Sequence, residues 1–172
     1  MCHSNYGKLE NVKKVFQIFL NQIRNNKPLT VTDRKMTRYI MSISDAAMMI
    51  LKVTKITKDG EIFILKMPSV KIIDVASAYA PNIKQNIIGI RPGEKLHEQM
   101  IGSEDAEYTY EYAEHFKILP AINDWDKDPS RISDGNLVHP DFTYSSDNNS
   151  EWMSVEFLTN WISRNREKIG RI

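Results

Sequence analysis

Apolar residues between Leu9 and Asn26 recur at the spacing of one helix face. Val12, Val15, Phe16, Phe19, Leu20 and Ile23 follow an i, i+3, i+4, i+7 pattern, which predicts an amphipathic helix. Asn25-Asn26 stop it, and Lys27-Pro28 begin an extended segment, because proline biases the residue before it away from the helical region. Leu29 to Thr32 is β-like, and Asp33-Arg34-Lys35 is a turn. A second helix is predicted from Ala46 to about Lys55. Ser44 caps it, Asp45 suits its dipole, and Ala47, Ile50, Leu51 and Thr54 share one face.

Beyond the Asp59-Gly60 turn, Glu61 to Lys66 reads as a buried strand. Pro68-Ser69 opens a short helix through Tyr79, with Ile72, Val75, Ala76 and Tyr79 inward, and Pro81 ends it. Asn86 to Ile90 and Phe116 to Leu119 are further strands, and Tyr108, Tyr110 and Tyr112 between them read as packing residues. Ala121 to Ser150 is polar and long for a loop in a compact domain, a length that usually marks function or disorder. Ser154 caps a final helix with the stripe Phe157, Leu158, Trp161 and Ile162, followed by a basic tail from Arg164 to Arg171. Trp152 and Trp161 are expected to anchor this tail to the core. These elements predict an α/β or α+β fold with three portions: residues 1–120, a polar segment 121–153, and a C-terminal helix and tail 154–172.

Composition changes this picture mainly by exclusion. The chain has 172 residues, enough for one domain with a core. Its formal net charge is +1, and the charged residues are mixed in sign, so neither nucleic acid nor an anionic membrane is an expected partner. No apolar run approaches the roughly 20 residues that span a bilayer, and the N-terminus does not resemble a signal peptide. One cysteine, Cys2, excludes an intrachain disulfide and fits a cytoplasmic location. The four histidines (His3, His97, His115, His139) lack metal-ligand spacing, so no metal is expected.

Candidate chemistry concentrates in Gly89-Ile90-Arg91-Pro92-Gly93-Glu94-Lys95-Leu96-His97-Glu98. Arginine's planar fork suits phosphate oxygens, and a carboxylate three positions later can accept from sugar hydroxyls. Pro92-Gly93 fixes the turn that would aim both. On residues alone, Arg91 and Glu94 read equally as a nucleotide-sugar clamp or as a turn salt bridge. His97 reads as structural. No GxGxxG or GxxGxxG fingerprint is present, no tyrosine is followed four residues later by lysine, and no HExxH, GxSxG or Walker A loop occurs. No complete catalytic constellation can be assigned.

Several segments resemble one known family. They are Lys27 to Asp33, Met36 to Tyr39, Gly60 to Phe63, Pro68 to Ile72, Ile88 to Glu98, and Tyr144 to Trp152. In order and spacing they resemble the C-terminal part of the UDP-N-acetylglucosamine 4,6-dehydratase, or CapD-like polysaccharide biosynthesis, family of extended short-chain dehydrogenase/reductases. The resemblance implies the substrate-binding portion of that fold, with the NADP-binding Rossmann half and its catalytic tyrosine and lysine without counterpart here. It implies Arg91 on the diphosphate, Glu94 near the ribose, Thr32 near the uridine, and Val15, Phe16, Gln17, Ile18 and Phe19 along the substrate. It also implies that residues 1–120 are the nucleotide-sugar-binding portion and that Tyr144 to Trp152, within the polar segment 121–153, is a latch folded over the body. Arg38 falls in a motif that supports the phosphate side, or else serves as a helix-entry ion partner. Two departures stand out: around Tyr6-Gly7, Asn5 replaces an arginine and Lys8 replaces the asparagine that meets the sugar. Gln17 stands where proline is usual.

The implied reaction is an NADP-dependent dehydration or epimerisation of a UDP-sugar, with no catalytic residue and no cofactor site in this chain. The expected function is therefore the nucleotide-sugar-binding part of such an enzyme, inactive alone, with a separate Rossmann-half chain or a homo-oligomer as possible partner. The alternatives are a stand-alone UDP-sugar binding module and a structural or interaction remnant.

Overall fold

The structure is a computed structural model that describes residues 7–121 and 128–164, with side chains from residue 14 onward. Cys2, the Asn5-Tyr6 departure, the side chain of Lys8 and the tail beyond Arg164 lie outside the described residues. Helix α1 spans Gly7–Arg24. Asn26 stands in the left-handed region at φ 52, and the Lys27 N–H returns to the Gln22 carbonyl, which ends the helix where the asparagine pair predicts. Strands β1 (Leu29–Val31) and β2 (Thr37–Tyr39) follow, then α2 (Ile43–Ile56), β3 (Ile62–Leu65), β4 (Ser69–Lys71), α3 (Ile72–Tyr79) and β5 (Gln85–Ile87). The chain continues through β6 (Gln99–Ile101), a 3₁₀ turn (Ser103–Tyr108), β7 (Thr109–Glu111), β8 (His115–Ile118), α4 (Pro129–Ile132), β9 (Asn136–Leu137), β10 (Tyr144–Ser145) and α5 (Val155–Arg164).

The strands form small separate sheets. β1 and β5 are parallel, while β2–β4 and β6–β10 are antiparallel pairs. The fourth sheet is antiparallel in the order β3-β8-β7-β9. The fold class is thus α/β with an α+β character, as the mixed pattern predicts, with no continuous parallel sheet among the described residues.

Two cores lie beneath these elements. The first joins Phe16 and Phe19 of α1, Leu29 and Val31 of β1, Val75, Ala76 and Tyr79 of α3, and Leu158 and Ile162 of α5. Phe16 packs on Tyr79 at 5.3 Å and on Trp161 at 6.5 Å between ring centroids. Each fully buried phenylalanine contributes roughly 1.5–3 kcal/mol of transfer free energy. The second core joins Tyr39, Ile64, Met67, Ile101, Phe116 and Tyr144 beneath the four-stranded sheet.

Several sequence expectations shift. The cap of α2 is Ser42, whose Oγ accepts from the Asp45 N–H while its hydroxyl donates to the Asp45 carboxylate, so the cap lies two residues before Ser44. The Pro68-Ser69 segment is a strand before it is a helix, because Ser69 to Lys71 pairs with Thr37 to Tyr39. β3 is an edge strand with Ile62 56% exposed, not a buried one. Trp152 is 43% exposed, and its indole N–H is held by the Asn149 carbonyl. Trp161 alone of the two packs on the first core.

Candidate nucleotide-sugar site

β5 sits parallel to β1, and the ladder runs on as Ile88 N–H bonds to the Val31 carbonyl and Gly89 N–H to that of Thr32. The chain then leaves the sheet at Gly89, whose φ of 83 lies in the left-handed region that favours glycine. Arg91 to Glu94 makes a tight turn closed by the Glu94 N–H to the Arg91 carbonyl at 3.0 Å. Pro92 holds the first corner, and Gly93 at φ 80 takes the second, the residue pair a type II turn requires.

This geometry separates the two side chains. The Glu94 carboxylate is held from both sides: Oε1 accepts from the Thr32 hydroxyl at 3.2 Å and Oε2 from the Arg91 backbone N–H at 3.3 Å. Arg91 itself is exposed, and among the described residues its guanidinium meets no partner. The salt-bridge reading of this pair therefore has no support in the geometry. Glu94 shapes the turn and Arg91 is presented outward.

Arg38 lies behind the turn. One terminal nitrogen donates to the Thr37 and Leu96 carbonyls at 2.6 and 3.0 Å, the other to the Lys95 carbonyl at 2.9 Å, and Nε faces the Glu98 carboxylate at 3.4 Å. Burial lowers its pKa, while the negative charges of Glu98 and Glu94 oppose that change. Its donors are taken up by the chain, so it buttresses the segment leaving the turn.

The polar segment supplies a second buttress, and this the sequence reading missed at residue level. Ser146 is fully buried. Its hydroxyl accepts from the Glu98 N–H at 2.9 Å and lies 2.7 Å from the Thr37 hydroxyl, which in turn meets Nδ1 of His97 at 2.7 Å. Nε2 of His97 faces the Asp147 carboxylate at 3.8 Å. Around it, the Tyr144 hydroxyl accepts from the Met67 N–H, and the Asn149 amide donates to the Met67 carbonyl. The stretch from Tyr144 to Trp152 thus lies across β4 and β6. The resemblance implies a latch over this stretch, but nothing local marks the partners of Ser146, which are 48 and 109 residues away.

The α1 residues divide by face. Phe16 and Phe19 are core, Val15 is half-buried, and Gln17 and Ile18 are exposed. Only Gln17 and Ile18 are left open to a ligand.

A dinucleotide cofactor has no matching cradle among the described residues. Pyrophosphate needs a glycine turn leading from a strand into a helix N-terminus. Among the described residues the strand–glycine–helix junction is β6–Gly102–3₁₀ turn. There a Cβ on Gly102 would fall 2.3 Å from the Glu104 carboxylate, and the first turn carries Glu104 and Asp105. That junction is filled and acidic, so it does not fit a pyrophosphate. No group of three or more ligating side chains that could hold a metal occurs among the described residues.

Comparison with known proteins places this arrangement. The sequence profile described as "Polysaccharide biosynthesis protein" matches residues 9–120. A UDP-N-acetylglucosamine 4,6-dehydratase (inverting) of Campylobacter jejuni subsp. jejuni serotype O:2 is 45% identical over 137 residues, covering 77% of this chain and 41% of the relative. A UDP-glucose 4-epimerase of Rickettsia canadensis is 32% identical over 123 residues, covering 69% of this chain and 36% of the relative. Among solved structures, Pen from Bacillus thuringiensis superposes with a TM-score of 0.70 at 31% identity, over 88% of this chain and 44% of that one. The chain therefore spans about two fifths of the length of these relatives.

Proposed function

The chain belongs to the polysaccharide biosynthesis protein family, and from that premise we propose that it is the nucleotide-sugar-binding part of a UDP-N-acetylglucosamine 4,6-dehydratase-type enzyme. The observation that carries this reading is the Arg91 turn. A proline-glycine corner fixes the backbone, Glu94 is tied to Thr32, and the exposed Arg91 guanidinium is left to meet a diphosphate. Arginine pairs with phosphate oxygens through two parallel donors, which fixes orientation as well as affinity. Glu94 keeps acceptor capacity for a ribose hydroxyl. Arg38 and Ser146 act at one remove, by holding the segment from Lys95 to Glu98 against which the turn is braced.

The chain's own task in this reading is to bind and orient the sugar nucleotide. In this reading the NADP that the resemblance implies is not held by the described residues, whose glycine junction does not fit it, and the chain is proposed to be inactive alone. The reading places the protein in the cytoplasm, where UDP-sugars are made. No helix among the described residues is long and apolar enough to cross a membrane.

Calorimetry with UDP-N-acetylglucosamine tests this. Binding is expected, and Arg91→Ala should raise Kd about 10- to 100-fold, the equivalent of one or two charge-assisted hydrogen bonds. Its thermal stability should not change, because Arg91 is exposed. No heat from the folded protein at millimolar ligand overturns the reading, and an unchanged Kd in the variant overturns the role of Arg91.

A further inference from the structure

His97 lies in the segment that leads from the Arg91 turn into β6. Both its ring nitrogens are engaged. Nδ1 lies 2.7 Å from the Thr37 hydroxyl of β2, and Nε2 faces the carboxylate of Asp147 at 3.8 Å. Thr37 in turn lies 2.7 Å from the Ser146 hydroxyl, which accepts from the Glu98 N–H at 2.9 Å. These contacts close a ring, because His97 adjoins Glu98 and Ser146 adjoins Asp147 in the chain.

A carboxylate, an imidazole and a hydroxyl in series is the order of a nucleophilic triad. Burial rules that chemistry out: Thr37 is 2% exposed and Ser146 0%, so neither oxygen can meet a substrate. The order fixes protons instead. A carboxylate facing Nε2 favours the tautomer with hydrogen on that nitrogen, which leaves Nδ1 to accept. Thr37 then donates to Nδ1, Ser146 donates to Thr37, and Ser146 accepts from Glu98. Each hydroxyl donates once and accepts once. The other tautomer would set a lone pair against the Asp147 charge and leave one hydroxyl hydrogen without an acceptor in the ring.

The ring joins two stretches that lie far apart in sequence. On one side of residues 95–98 stands Arg38, which holds the Lys95 and Leu96 carbonyls. On the other stand Ser146 and Asp147, in a turn closed by the Ser145 N–H on the Asn148 side chain and the Asn148 N–H on the Ser145 carbonyl. His97 reaches both sides, through Thr37 and through Asp147. We propose that His97 is a positioning residue for the nucleotide-sugar site, coupling the Arg91 turn to the 145–148 turn so that ligand at the first tightens the second. The ligand in this inference rests on the proposed function, whereas the coupling rests on the ring alone. By linkage, a change that loosens the 145–148 turn weakens the ligand by the same factor.

The test uses the full 172-residue chain, His97→Ala, and His97→Asn, whose amide oxygen can stand where Nδ1 stands. Without ligand, nitrogen-15 relaxation in His97→Ala should show the amides of Arg91, Gly93 and Glu94 more mobile, together with those of Ser145 and Asn148. His97→Asn should restore the first group. In calorimetry, His97→Ala should raise the Kd for UDP-N-acetylglucosamine about fivefold, the scale of one neutral hydrogen bond, and His97→Asn should recover most of that loss. Ligand should slow amide exchange at Ser145 and Asn148 in the parent and not in His97→Ala. If His97→Ala does not fold, Asp147→Ala, at an exposed position, takes its place in both arms. A variant that only lowers the melting temperature, with either turn as rigid as in the parent, marks a purely structural histidine and overturns the proposal. An affinity loss that His97→Asn does not recover overturns it too. If the parent binds no UDP-N-acetylglucosamine, the proposed function fails, and the ligand-free relaxation decides the coupling by itself.

Discussion

Helices α3 and α2 teach different lessons although both carry an apolar stripe. α3 has eight residues and buries Ile72, Val75, Ala76 and Tyr79, while α2 has fourteen and buries none. The difference lies in what stands opposite. α3 faces α5 and β1, so its stripe closes the first core together with Phe16, Leu29, Val31 and Leu158. α2 faces β3 and the chain around Met67 with its half-buried line, and its apolar stripe looks outward. Amphipathic periodicity therefore reports a face that wants a partner, and the partner need not lie within the same stretch of chain.

The largest effect should come from the packed side. Leu158→Ala, at a fully buried position, is expected to cost roughly 2–5 kcal/mol in urea unfolding. Leu51→Ala on the outward face of α2 should stay within about 0.5 kcal/mol. A loss of comparable size at Leu51 would break the comparison, because it would mean that the stripe already packs on something. Next in size is Ser146→Ala, which strands the Glu98 N–H and leaves the buried Thr37 hydroxyl with His97 as its remaining partner. The expected cost is about 1–3 kcal/mol, with UDP-N-acetylglucosamine bound more weakly as the brace behind the turn loosens. Unfolding and calorimetry on the same variant would show whether the two losses travel together.

The smallest effect concerns pH on the side of the open edge. His115 on β8 stacks on Tyr112 at 4.6 Å and packs on Phe63 of β3. Burial, then the Lys117 charge, lowers its pKa from the ordinary 6.5, with Glu114 opposing. The unfolded chain therefore binds more protons than the folded one just below that value. This part of the stability is complete above about pH 6.5 and is lost as pH falls through the lower folded value. His115→Gln should flatten the pH dependence of urea unfolding over this window. An unchanged slope would show that His115 does not set it.

Much of the architecture was legible residue by residue. The stripe of α1 predicted Phe16 and Phe19 in the core, the asparagine pair marked the helix end, and Ser154 caps α5 through the Phe157 N–H as expected. The Pro92-Gly93 turn was legible because its backbone demands are local. The resemblance also drew attention to the Tyr144–Trp152 stretch. What stayed hidden was non-local. Nothing near Arg38 in sequence says that it reaches carbonyls nearly sixty residues on, and nothing around Ser146 marks one serine of a polar run as fully buried. The cap of α2 was misplaced because two serines two residues apart offer the same side chain, and only the extended backbone at Ser42 decides between them.

The sequence by itself determined the local features: the helices, the turn at Arg91 to Glu94, the family, and the lack of a dinucleotide fingerprint. These follow from periodicity, from proline and glycine dihedrals and from motif spacing, all of which act over a few residues. Only the tertiary structure decided that Glu94 is tied to Thr32 while Arg91 is not, that Arg38 and Ser146 brace the chain behind the turn, and that the apolar stripe of α2 lies in water. Those outcomes depend on which surfaces meet. Burial and hydrogen bonding are set by neighbours in space, and a sequence pattern records the need for a neighbour without naming it.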